Sequence, residues 1–213
     1  DGVQTWEEAL QIVKGFVAMG YTKLIITPHI MAGFYPNTPA IISEKTAQLK
    51  QLLAEHQLSI SIEAAAEYYY DEVFVKQIKQ ETPLLTFGNR YVLFETSFQT
   101  YPQNIFETIF ALQSQGYQPV LAHPERYVYI QQNKKMIDKF LSRHVLLQLN
   151  LNSLAGYYGR DAKEIAQWLL DQHYVHFAGS DCHGERHQTA LKSARKQKSY
   201  QKLLSLPLLN HQL

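Results

Sequence analysis

Cysteine is almost absent. Cys182 stands alone among 213 residues, so no disulfide can form within the chain, which points to a reducing, cytoplasmic setting. Net charge is equally scarce: 20 Lys and Arg against 19 Asp and Glu leave +1, with no long run of one sign. That disfavours nucleic acid or an anionic membrane as the main partner. No stretch of roughly 18 apolar residues occurs, so no membrane span is expected. No basic region followed by an apolar core marks the N-terminus, so no signal peptide is expected either. No glycine-rich phosphate loop follows any predicted strand, which weakens a doubly wound nucleotide-binding fold. What is present is an ordinary globular composition, 46% apolar and 18% charged. Its length suits one domain over residues 1–213 that buries about 70% of its unfolded surface.

Apolar periodicity predicts alternating helices and strands. Trp6, Ala9, Leu10, Ile12, Val13, Phe16 and Val17 repeat at helical spacing over 5–19, and Gly20 is a stop. Strands are predicted at about 23–27, 59–66, 90–95, 118–122, 145–149 and 174–179. Helices are predicted at about 38–56, 71–79, 102–115, 134–143 and 160–172. Residues 31–37, with Gly33, Pro36 and Asn37, read as a loop. The tail from about 187 reads as helical and polar, with Lys192, Arg195, Lys196 and Lys198 forming a solvated face.

Six side chains that bind metals well each end an apolar run: His29, Glu67, Glu95, His123, Asp181 and His183. His29 to Glu67 spans 38 residues, Glu67 to Glu95 and Glu95 to His123 span 28 each, and His123 to Asp181 spans 58 with the strand at 145–149 dividing it. A helix, a strand and two loops need roughly 25–35 residues, so each interval is one or two βα units. Function carried on successive strand ends at one rim is the mark of a (β/α) barrel. The donors are imidazole nitrogen and carboxylate oxygen without thiolate, which suits Mn, Fe, Zn, Mg or Co over a structural cysteine-zinc site. Arg126, three residues past His123, is placed to hold an anionic oxygen with its planar fork, and Arg186 occupies a similar place after His183. Tyr68, Tyr69 and Tyr70 form a candidate pocket wall. His56, His144, His173, His176, His187 and His211 are read as non-ligands, and Cys182 as packing. No Arg follows Cys182 six residues on, since position 188 is Gln, which disfavours a cysteine-phosphatase loop.

The pieces Asp1-Gly2, Thr27-Pro28-His29, Ala66-Glu67, Tyr91-Val92-Leu93-Phe94-Glu95, Ala122-His123-Pro124-Glu125-Arg126 and Ala178-Gly179-Ser180-Asp181-Cys182-His183 occur in this order over residues 1 to about 186. In them the chain resembles the PHP (polymerase and histidinol phosphatase) superfamily. More closely, it resembles the bacterial metal-dependent tyrosine-protein phosphatases encoded with capsular or exopolysaccharide genes. The resemblance implies a distorted, TIM-like (β/α)7 barrel of the PHP type with up to three metal ions, Mn foremost, at its mouth. It implies that Asp1, His29 and His183 hold one ion, and that Glu67, Glu95 and His123 hold a second. Glu67 would bridge to a third, which Asp181 also binds. The third ion would take two histidines of a His-x-His motif, which this chain lacks and which family spacing puts about seven and nine residues before Asp1. A barrel of this type starts with a strand, whereas this chain opens with a turn and a helix. The first strand is therefore expected upstream, missing from this chain.

The function so implied is hydrolysis of phosphotyrosine on protein, by hydroxide generated at the metals. Arg126, Asp181 and Arg186 would be the catalytic side chains, and the substrate a bacterial tyrosine autokinase controlling capsule or exopolysaccharide synthesis. A small-molecule phosphoesterase such as histidinol phosphatase, and a non-catalytic metal-binding regulatory module, are the alternatives. Oligomeric state is not legible.

Overall fold

The computed structural model describes residues 2–213. Its strands are β1 (Lys23–Ile26), β2 (His29–Ile30), β3 (Ser61–Ala64), β4 (Glu67–Tyr69), β5 (Tyr91–Glu95), β6 (Gln118–Ala122), β7 (Leu146–Asn150) and β8 (Phe177–Gly179). The helices are α1 (Trp6–Ala18), α2 (Pro39–Glu55), α3 (Glu72–Lys79), α4 (Ile105–Ser114), α5 (Val128–Gln132), α6 (Met136–Leu141), α7 (Arg160–Asp171), α8 (Glu185–Ala194) and α9 (Lys198–Leu204). Every pairing between these strands is parallel, and β2-β4-β5-β6-β7-β8 pair in chain order, with β1 pairing β3. A parallel sheet wound in one direction with helices on its outer face is an α/β half-barrel.

The strands predicted at 23–27 and 59–66 match β1 and β3, and each line resumes after a break as β2 and β4. Pro28 has no N–H and restricts Thr27, so the first strand kinks there. The ladder continues across the break, because Ala65 N–H donates to Ile26 O at 2.9 Å and Glu67 N–H to Pro28 O at 3.0 Å. The eight pieces therefore trace six strand lines, as many as the periodicity predicted. Thr5, Thr38 and Asp71 cap α1, α2 and α3 by accepting from Glu8, Ile41 and Phe74 N–H, which satisfies donors that a helix start leaves open. Gly20 and Gly116, with φ of 89° and 77°, take the left-handed turn that ends a helix and that other residues resist.

Alternation along each strand sorts the core. Val92, Phe94, Leu121, Leu147 and Leu149 face outward under the helices. Ala65, Leu93, Val120, Ala122 and Phe177 face inward, with Ile25 and Leu146 beside them, and Phe87 and Leu213 close the bottom. A cavity of about 890 Å³ opens between β1 and β8, lined by Ile25 and Thr27 on one side and Phe177 and Gly179 on the other. On β8, Asn210 imitates a strand neighbour: its Oδ1 accepts from Ala178 N–H at 2.8 Å and its Nδ2 donates to Ala178 O at 3.0 Å.

The helix expected at 134–143 is α6, and an unexpected short helix, α5, precedes it across Asn133. One expectation needs correction. The tail is helical but not simply polar: Gln188, Leu191, Ala194, Leu203, Leu206 and Leu208 are buried, and Gln188 Nε2 donates to Ile12 O of α1 at 2.6 Å. Lys192, Lys196 and Lys198 are exposed as expected, while Arg195 donates to Met19 O at 2.7 Å. Charged residues at helical spacing conceal an apolar stripe when composition alone is read. No helix among the described residues is long and apolar enough to cross a membrane.

Candidate metal centre

The inward columns of the sheet carry the candidates to the mouth. Ile25 points inward, and so, four residues on, does His29. Ala65 leads to Glu67, Leu93 to Glu95, and Phe177 through Gly179 to Asp181, each at a spacing of two that keeps the same face. His123 breaks the count, since alternation would turn it outward with Leu121. Its backbone instead takes φ 33°, ψ 56°, a left-handed conformation that aims the ring at the mouth. Asp181 also has positive φ, 46°. Backbone held in such regions costs on the order of 1–3 kcal/mol and concentrates at functional sites.

The side chains meet closely. His29 Nδ1 lies 3.0 Å from Glu95 Oε1 and 3.2 Å from Glu67 Oε2. His123 Nε2 lies 3.2 Å from Glu67 Oε1 and 3.6 Å from Glu95 Oε2. Each carboxylate thus offers one oxygen to each imidazole. The other nitrogen of His29, Nε2, is 3.4 Å from His183 Nε2, so His29 reaches both of the ligand groups implied by the resemblance. Asp181 Oδ2 accepts from Arg126 Nη1 at 2.7 Å and Asn150 Nδ2 at 2.9 Å. Arg186 is exposed on the first turn of α8. Asp1 lies outside the described residues.

Burial disfavours charge on both imidazoles. The hydrogen bond to Glu95 and the negative charge of Glu67 outweigh it at His29, as the bond and charge of Glu67 do at His123, so both are held above the ordinary histidine range. Burial pushes the Glu67 carboxyl up, against the hydrogen bond from His123. Asp181 goes the other way. Burial would raise it, but His123, Arg126, His183 and His29 together hold it below the ordinary aspartate range, which suits an acceptor or ligand better than a proton donor. Imidazoles that bind protons tightly between buried carboxylates form a site whose lone pairs converge, and His29, Glu67 and Glu95 offer ligand atoms within 4.8 Å of one another. A divalent ion fits this donor set in place of the protons.

Aromatic rings wall the site. Tyr35 stacks on His29 at 5.1 Å and Phe98 on His123 at 5.5 Å. The Arg126 guanidinium is held between Phe98 at 4.6 Å and Tyr158 at 4.1 Å. Of the predicted tyrosine wall, Tyr68 is fully buried core whose hydroxyl accepts from Leu85 N–H, while Tyr69 and Tyr70 are half-buried. Cys182 packs half-buried against the core. His187 lies one layer back, its Nδ1 accepting from His183 N–H at 2.9 Å. Phe98, Tyr158 and Asn150 escaped the sequence reading. Asn150 could have been found by counting inward from Leu146 and Gln148, whereas Phe98 and Tyr158 lie on loops without a periodic signal.

The family model described as "Capsular polysaccharide synthesis, CpsB/CapC" matches residues 1–202. The chain belongs to the CpsB/CapC family. Tyrosine-protein phosphatase YwqE of Bacillus subtilis is 30% identical over 184 residues, covering 86% of this chain and 72% of its own. Tyrosine-protein phosphatase CpsB of Streptococcus pneumoniae is 26% identical over 189 residues, 86% of this chain and 77% of its own. A solved structure from work on those two proteins, described as metal-dependent tyrosine phosphatases, matches 99% of this chain and 89% of its own with a TM-score of 0.83 and 26% identity. The half-barrel and its cluster therefore sit within a CpsB/CapC frame, and the phosphatase relatives span nearly the whole of it.

Proposed function

We propose that this chain is a metal-dependent hydrolase of phosphotyrosine on proteins. The observation that carries the reading is the ring of His29, Glu67, His123 and Glu95, held at 3.0–3.6 Å at the mouth of a CpsB/CapC half-barrel. His29 and His183, with Asp1, would hold one ion, and Glu67, Glu95 and His123 a second. Asp181 and Glu67 would serve a third. Bound divalent ions, Mn foremost, supply a lowered water pKa and neutralisation of phosphate charge. Arg126, stiffened by its two rings and its bond to Asp181, orients a non-bridging phosphate oxygen. Arg186, one turn from His183, is placed to take another. Tyr35 and Phe98 fix the imidazole planes and limit water access.

The finer fold belongs to the same proposal. A strand upstream of Asp1, bearing a His-x-His motif, would occupy the gap between β1 and β8 and complete a distorted (β/α)7 barrel of the PHP type in one domain over 1–213. The family's link to capsular polysaccharide synthesis supports a bacterial tyrosine autokinase of that system as the substrate, with this chain acting in the cytoplasm.

The test is hydrolysis of a phosphotyrosine peptide against histidinol phosphate, with metal content, for this chain and for one extended through the upstream strand. Preference for the peptide, loss with chelator and rescue by Mn²⁺ are expected. His123→Ala and Glu67→Ala should abolish turnover, and Cys182→Ser should keep most of it. Retained hydrolysis in both ligand variants would overturn the reading.

A further inference from the structure

Of the six described strand lines, β7 is the one whose mouth end bears neither imidazole nor carboxylate, yet its inward column of Leu146 and Gln148 leads to Asn150 at the mouth. Asn150 is 2% exposed, and its amide orientation is set from behind. Oδ1 accepts from Asn152 N–H at 2.9 Å, capping the 3-10 turn Leu151–Ala155. The amide nitrogen must then face forward, where it donates to Asp181 Oδ2 at 2.9 Å and to the Tyr158 hydroxyl at 3.2 Å. The backbone beneath is also anchored: Asn150 N–H donates to the buried Glu125 Oε1 at 3.1 Å, which also accepts from Ser153 Oγ at 2.7 Å. Asp181 Oδ2 thus accepts from Asn150, from Arg126 at 2.7 Å and from Tyr158 at 3.4 Å. Its lone pairs are committed on that side. Oδ1 is the oxygen turned toward His183, 3.5 Å from its Nδ1.

We propose that Asn150 is a positioning residue: it holds Oδ2 of Asp181 away from the mouth so that Oδ1 is presented to a metal ion. This rests on the metal-site reading above. An outer hydrogen-bond partner that orients a ligating carboxylate typically contributes 10–100-fold to metal affinity or activity.

Asn150→Asp separates this role from capping. The new carboxylate keeps an oxygen for Asn152 N–H but sets a second oxygen, without a donor, against Asp181. Added negative charge near a cation site would by simple attraction tighten binding, so the positioning role predicts the opposite sign. Mn²⁺ affinity by calorimetry and turnover of p-nitrophenyl phosphate at saturating Mn²⁺ would be compared in wild type, Asn150→Asp and Asn150→Ala, with thermal unfolding as the control. The expected result is Mn²⁺ binding weakened about 10–100-fold in both variants, with Asn150→Asp unfolding near the wild-type temperature. Wild-type or tighter affinity in a folded Asn150→Asp would overturn this inference alone. Wild-type protein that binds no Mn²⁺ would overturn the metal reading and this inference with it.

Discussion

His29 and His123 each face two carboxylates, and that sets how the protein answers to protons. Both imidazoles hold their protons more tightly folded than unfolded, relative to an ordinary value of 6.5. A raised folded pKa stabilises the native state below the unfolded value, and that contribution is lost as pH climbs through the folded one. Buried Glu67, also raised, carries the same sign. The metal-free protein is therefore expected to melt at progressively lower temperature as pH rises above about 6.5. Asp181, lowered, acts only in strong acid, where its contribution fades as pH falls through its folded pKa. Because a metal must displace the imidazole protons, Mn²⁺ affinity is expected to rise across the same window in which metal-free stability falls. Thermal scans from pH 6 to 9 with and without Mn²⁺ check this, and a metal-free melting temperature that rises with pH would refute it. Among single residues, the sequence made the imidazoles and carboxylates conspicuous. It hid Asn150 and Tyr158, whose neutral groups matter only through what they touch.

At the scale of elements, the loop after β2 shows how a helix cap reaches the site. Asp71 Oδ1 accepts from Phe74 N–H at 2.9 Å, starting α3, and Oδ2 accepts from Ala32 N–H at 2.9 Å. The loop so tied carries Tyr35, stacked on His29. Asp71→Ala should cost about 1–2 kcal/mol of stability from the lost cap, read by urea unfolding. It should also speed amide exchange at Ala32, whose N–H loses its acceptor, and at Tyr35, otherwise held by its bridge to Met31. Exchange unchanged there would show that the loop stands without Asp71. Boundaries of elements were mostly legible, because caps and glycine stops are local chemistry: Thr5, Thr38, Gly20 and Gly116 each act within a turn of where they stand. The break in the first strand was foreseeable at Pro28. The short helix α5 was not, since its five residues are too few to show a helical period.

Across the whole molecule, the cluster gathers side chains from β2, β4 and β5 and from the loops after β6 and β8. An ion bound there ties together most of the sheet, so its binding free energy is transmitted to global unfolding. At a free concentration of 100 Kd one site adds about 2.7 kcal/mol. For a chain of about 200 residues that is a rise of roughly 5–10 °C in Tm. Melting with excess chelator against excess Mn²⁺ measures it, and identical curves would mean that the native state does not select the ion.

The amino-acid sequence by itself determined the βα order, the strand ends and the kinds of atoms at them, because hydrophobic period and ligand chemistry are properties of the chain. It also carried the resemblance that the CpsB/CapC match then placed in a family. Only the tertiary structure decided that Glu67 and Glu95 each face both His29 and His123, that left-handed backbone turns His123 inward, and that Asn150 and Arg126 share one oxygen of Asp181. Those facts depend on the curl of the sheet, which sets side chains from distant strands within 3–4 Å of one another. No spacing along the chain encodes such a distance.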